Sequence, residues 1–183
     1  MSRVPDLEFD AMTAEQQRLY EEIERPRGIV AGPFAIWLRL PRLAEAQNRL
    51  GNAVRLDGRL ERRLLEIMIL VIARHWRAQY EWYQHAIAAK KLGVRPELIE
   101  AIRSGVPPPF GDDGERLIYD LTVELQTSRT LSQPTYDRAL AAFGLEILIE
   151  AITAAGFYTS VAMMLNAFDA PVPGNAAPLE ALP

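Results

Sequence analysis

No cysteine occurs in the 183 residues. That absence excludes disulfide scaffolds, thiolate zinc sites, cysteine nucleophiles and dithiol redox chemistry. Histidine is nearly as scarce. His75 and His85 are the only two, so a single chain cannot assemble a three-histidine metal centre. There is no convincing alternating strand pattern, no phosphate-cradling glycine loop, no nucleotide fingerprint and no Gly-x-Ser-x-Gly elbow. Charge of one sign is also lacking. Twenty basic against 24 acidic residues leave a net −4, and the basic residues are scattered among acids, which argues against a nucleic-acid partner. The longest apolar run broken by a single charge, Leu64–Ala73, falls short of the roughly 20 residues that span a bilayer, so no membrane association is expected. Asp6, Glu8 and Asp10 occupy the place where a secretory signal needs apolar residues, and a cytoplasmic location is expected.

What is present reads as one all-α domain. The length fits a single domain that buries a core without staples, and 49% of the residues are hydrophobic. Thr13 followed by Gln16 has the capping-box spacing and predicts a helix from Ala14 to about Ile23. Pro41 opens a second helix. Further helices are predicted from Arg59 to about Trp76, Ala78 to Leu92, Glu97 to Arg103, Asp113 to Gln126, and Ser132 through Phe143. The last long one runs from Leu145 to Phe168. Gly93 supplies a stop. An arm over residues 1–12 and a proline-rich tail over 170–183, extended or mobile, flank a domain over 13–169. The pentamer Leu-Ile-Glu-Ala-Ile stands at both Leu98–Ile102 and Leu148–Ile152; duplication and chance recurrence both account for it. Arginine supplies 18 of the 20 positive charges, which favours forked pairing with carboxylates.

Two segments carry candidate chemistry. In Leu64–Ala73 only Glu66 is polar, and a helix apolar nearly all round is a buried helix. A buried carboxylate must find a partner or become protonated. On the following helix, Ala78, Trp82, Ala89 and Leu92 share one face, His85 lies within that face and Glu81 at its edge. At i,i+4 spacing the two polar groups are within reach of each other. Glu81 is therefore expected to orient the His85 ring and favour its charged form. His75, at a helix end, is explained by the helix dipole. Arg74 or Arg77 is the candidate fork for a substrate carboxylate, and Tyr80 and Trp82 the candidate pocket walls, with core packing the competing account of both aromatics. Glu66, Glu81 and His85 have the donor types of a facial metal site but neither Glu-x-x-His nor His-x-His spacing, and no metal or other cofactor is expected.

The stretch from Glu66 to His85 resembles the signature region of the carboxymuconolactone decarboxylase family, which shares its fold with the alkylhydroperoxidase-like proteins. Gly93-Val-Arg-Pro-Glu-Leu-Ile has a matching spacing. Gly156–Phe168, followed by Asp169-Ala-Pro171, is similar to the family's last helix with its aromatic pair and terminal Asn. The resemblance spans Leu43–Pro173. It implies an alkylhydroperoxidase-like bundle of paired antiparallel helices and a trimeric or hexameric homo-oligomer. The peroxidase branch has an acid, eleven residues, then Cys-x-x-Cys-x-x-x-His. Counted from Glu66, these positions fall on Ala78, Glu81 and His85. Without thiols no thiol peroxidase reaction runs. The implied alternative is acid/base chemistry, a decarboxylation or proton transfer on a small organic acid or lactone, with His85, Glu81 and Glu66 catalytic. A non-catalytic oligomer that keeps Glu66, Glu81 and His85 as a structural network is the competing reading.

Overall fold

The computed structural model describes residues 2–5 and 7–180. Among them are eight α-helices and no strand. In order these are α1 (Ala14–Arg27), α2 (Pro33–Trp37), α3 (Pro41–Arg55), α4 (Arg62–His75), α5 (Gln79–Lys91), α6 (Pro96–Ser104), α7 (Asp113–Ser128) and α8 (Gln133–Ala167). The local signals act where the sequence places them. Thr13 and Gln16 form a reciprocal capping box, Asp112 and Ser132 cap α7 and α8, and Pro41 and Pro96 sit in first turns. α1 runs a turn beyond its predicted end, through Pro26, and stops at Gly28 in the left-handed conformation. α8 is broken at Gly144, whose φ of 76° is non-helical, so the two predicted helices stand on either side of a kink.

α4 is the centre of the bundle, packed on α5, α6, α7 and α8. Every residue from Leu64 to Arg74 is buried, as its unbroken apolar run requires. The turn Trp76-Arg77-Ala78 returns the chain antiparallel, so α4 and α5 form a hairpin. Glu66 near the start of α4 therefore lies beside the later part of α5, where His85 stands. This hairpin sets up the site.

Both flanking segments pack on the bundle. Met12 and Leu179 are core residues, and the Gln79 side chain exchanges two hydrogen bonds with the Leu179 backbone. Arg74 donates to the Glu180 carbonyl. The tail, expected to be extended or mobile, is thus docked through residue 180, because a buried leucine and three side-chain–backbone hydrogen bonds hold it; residues 181–183 lie outside the described residues. The two pentamers are not equivalent: Leu98, Ile99, Ala101 and Ile102 are all buried, whereas Ile149 and Ile152 are exposed. They lie on an open apolar stripe of α8 with Leu145 and Met163. The most membrane-like segment is within α8, not Leu64–Ala73; by length and composition alone it is apolar enough to cross a bilayer.

Candidate active site

Five helices converge on one group of polar side chains. α4 contributes Glu66, whose side chain is fully buried. His85 comes from α5, Arg55 from the end of α3, Tyr158 from α8 and Arg27 from the end of α1. His85 Nδ1 lies 2.7 Å from Glu66 Oε2 and 3.4 Å from Arg55 Nη1. The carboxylate is the nearer and can only accept, so Nδ1 carries the proton and donates to Glu66. Nε2 is then the basic nitrogen, and it has no hydrogen-bond partner among the described residues. Arg55 Nη2 sits 3.2 Å from Glu66 Oε1 as an ion pair without hydrogen-bond alignment, while Arg55 Nη1 donates to the Tyr158 hydroxyl at 3.1 Å. The Tyr158 ring packs edge-on against the His85 ring at 5.4 Å.

The charge states follow from these contacts. Burial works to raise the Glu66 carboxyl, but His85, Arg55 and Arg62 outweigh it and hold Glu66 below its ordinary value, so it is ionised. Burial lowers His85 below its ordinary value against the pull of Glu66, with Arg55 adding to the lowering. His85 is therefore a neutral base at neutral pH, not the imidazolium expected from a carboxylate neighbour. Burial also pushes the Tyr158 hydroxyl up, with Arg55 opposing.

The predicted Glu81–His85 pair does not form. Glu81 is 1% exposed, and neither of its oxygens has a hydrogen-bond partner among the described residues. His85 has one Nδ1 proton, and Glu66, reaching across from α4 with Arg55 beside it, takes that proton in place of the i,i+4 neighbour. Glu81 is left as a buried carboxyl that burial pushes well above its ordinary value, which favours its protonated form.

Beside this network lies a cavity of about 400 Å³. His85, Glu81, Arg55, Arg27 and Tyr80 border it, and Phe34, Phe157 and Tyr158 form aromatic walls. The His85 side chain is 13% exposed. Arg27 is anchored by donating to Asn48 at 3.1 Å and Asn52 at 2.6 Å and lies over the Phe34 ring. Tyr80 borders the cavity, but Trp82 is 3% exposed in the core and does not border the cavity. Arg74 and Arg77 do not border it either. Arg74 is tied to the tail, and Arg77 lines a separate groove with Asn166 and Asp169. Eight residues of helix separate Arg74 from Glu66, roughly 12 Å at the α-helical rise, so the arginines at the hairpin turn are out of reach. Arg55 and Arg27 border the cavity instead. Sequence spacing alone had no means of finding those two: each reads as an ordinary basic residue at a helix C-terminus. Tyr158 lay within the aromatic pair of the last helix.

Residues 41–118 match the carboxymuconolactone decarboxylase family. No curated protein matches the chain. Among solved structures, a peroxidase-related protein with an alkylhydroperoxidase AhpD core from Ralstonia eutropha superimposes with a TM-score of 0.78 at 16% identity, covering 94% of this chain and 93% of that one. A second peroxidase-related protein, from a Silicibacter species, gives a TM-score of 0.77 at 16% identity over 96% and 94% of the two chains. The debrominase Bmp8, in a cysteine-to-alanine variant with 2,3,4-tribromopyrrole, gives 0.72 at 18% identity over 96% and 92%. These likenesses show a shared alkylhydroperoxidase-like fold.

Proposed function

Because residues 41–118 match the carboxymuconolactone decarboxylase family, we propose that the chain is an acid/base enzyme acting on a small organic acid or lactone by decarboxylation or a related proton transfer. The observation that carries this reading is the His85 ring. Its Nδ1 is fixed by Glu66 at 2.7 Å, and the residue borders a cavity rather than a closed interior. A neutral imidazole with one nitrogen locked and the other unpartnered is suited to move a proton at neutral pH. Arg55 and Arg27 are the forks for a substrate carboxylate. Arg27 is held by two asparagines and an aromatic face, so little side-chain freedom is lost when it binds. The aromatic walls suit a small planar or unsaturated ring, such as the one solved with the debrominase of similar fold. With no cysteine in the chain, thiol peroxidase chemistry is outside this reading.

The competing reading, a purely structural network, predicts a closed and dry surround for His85. A bordering cavity with two arginines favours catalysis. The protein is further proposed to be a cytoplasmic homo-oligomer, a trimer or hexamer, with the exposed Leu145, Ile149, Ile152 and Met163 stripe buried between copies. The test of function is turnover of carboxymuconolactone and related carboxylated lactones. His85→Ala is expected to lose about 100-fold or more, and unchanged turnover overturns the proposal.

A further inference from the structure

Glu81 is the one feature of the site that the His85–Glu66 pair leaves unused. Its side chain is almost completely buried, both oxygens lack partners among the described residues, and it borders the same cavity as His85. A structural carboxyl at such a depth is ordinarily paired, because burying an unpaired polar group is destabilising. This one sits a single helical turn from His85 on the same helix. An unpartnered buried acid beside a cavity with two cationic forks is a group whose partner arrives with the ligand.

We propose that Glu81 is a catalytic proton donor, and that the substrate is a carboxylate-bearing, β,γ-unsaturated lactone or keto acid whose carbonyl oxygen completes the missing hydrogen bond. The inference rests on the acid/base reading above and specifies its reaction as a proton shift through an enol. His85 Nε2 takes a proton from the carbon beside the carbonyl. The C–H electron pair becomes the new C=C bond, and the carbonyl π pair moves to oxygen. Glu81 delivers its proton to that oxygen, leaving an imidazolium, a carboxylate and the enol. In the second half the enol O–H returns its proton to Glu81, the carbonyl reforms, and the imidazolium protonates the far carbon of the unsaturated system. The double bond has moved, both residues regain their starting states, and no co-reactant is consumed. Keeping a carboxylic acid neutral in an apolar surround so that it can donate is a known device of such chemistry. Arg55 and Arg27 hold the substrate's carboxylate, leaving the enolising carbonyl to Glu81.

The test is carried out on the full chain carrying ¹³C at the glutamate side-chain carboxyl. The signal absent from Glu81→Gln, and independently from Glu81→Leu, identifies Glu81. 2-Furoate, a planar carboxylate, serves as the probe. The Glu81 signal is expected at the neutral-acid position at pH 7, and to move on adding 2-furoate in wild type but not in Arg55→Gln. A Glu81 signal at the ionised position overturns the proposal. So does one that ignores 2-furoate while the His85 ring signals respond, and in that case the acid/base reading survives. If neither residue responds, the carboxylate-binding reading fails and this inference with it.

Discussion

Glu66 and Glu81 are two glutamates set into apolar helix faces one hairpin apart, and they meet opposite fates. Glu66 enters the centre of the bundle opposite His85 and Arg55, and remains ionised because these two, with Arg62, offset its desolvation. Glu81, on the facing helix, enters the wall of a cavity with no hydrogen-bond partner among the described residues, and burial alone pushes it well above its ordinary value. The residue type and depth are nearly the same, so the charge state is decided by what lies across the gap. One carboxyl is tied to the His85 ring, and the other has no hydrogen-bond partner among the described residues.

The largest effect is expected from removing the paired member. Glu66→Gln leaves Arg55 and His85 without their anion, and a buried pair broken at one partner is strongly destabilising. Because the Arg55 side chain keeps 22% exposure, we expect a loss at the low end of the range, about 3 kcal/mol by denaturant unfolding. A stability change under about 1 kcal/mol would show that the pair is not coupled.

Removing the unpaired member should do the opposite. Glu81→Leu is expected to gain about 1–2 kcal/mol at pH 7 while abolishing turnover, since it removes a buried polar group whose role is functional. The pH dependence sharpens the contrast. Glu81 is raised above its ordinary 4.5, so above pH 4.5 the unfolded chain gives up a proton that the folded chain keeps. Stability therefore falls as pH rises through this window, and Glu81→Leu should flatten that fall. Glu66 is lowered below 4.5, so its contribution is present above pH 4.5 and is lost as pH drops through the folded value; Glu66→Gln should remove that acid-side loss. If both variants flatten the same limb, the two carboxyls do not differ as described.

The smallest effect belongs to the hairpin turn. Arg77→Ala, outside the cavity, is expected to change stability by no more than about 0.5 kcal/mol and turnover by no more than about twofold. A larger loss of turnover would return Arg77 to the substrate site.

The helices, their caps and the burial of Glu66 were legible because they depend on local chemistry and on an apolar run with a single exception. His85 was legible as a polar residue on a buried stripe. Its partner was not, because i,i+4 proximity on one helix and contact across a hairpin are equally compatible with the pattern. Arg27 and Arg55 were invisible for a related reason: 30 residues separate Arg55 from His85, and nothing local marks a helix-end arginine as facing inward.

The sequence by itself determined an all-α bundle, a thiol-free site and two acids and a histidine on buried faces, since each follows from composition, periodicity and capping. Only the tertiary structure decided which acid meets the histidine and which arginines face the cavity. Those outcomes depend on the packing of five helices, and the energies that set them, desolvation against pairing, are fixed only once the chain has closed around the groups.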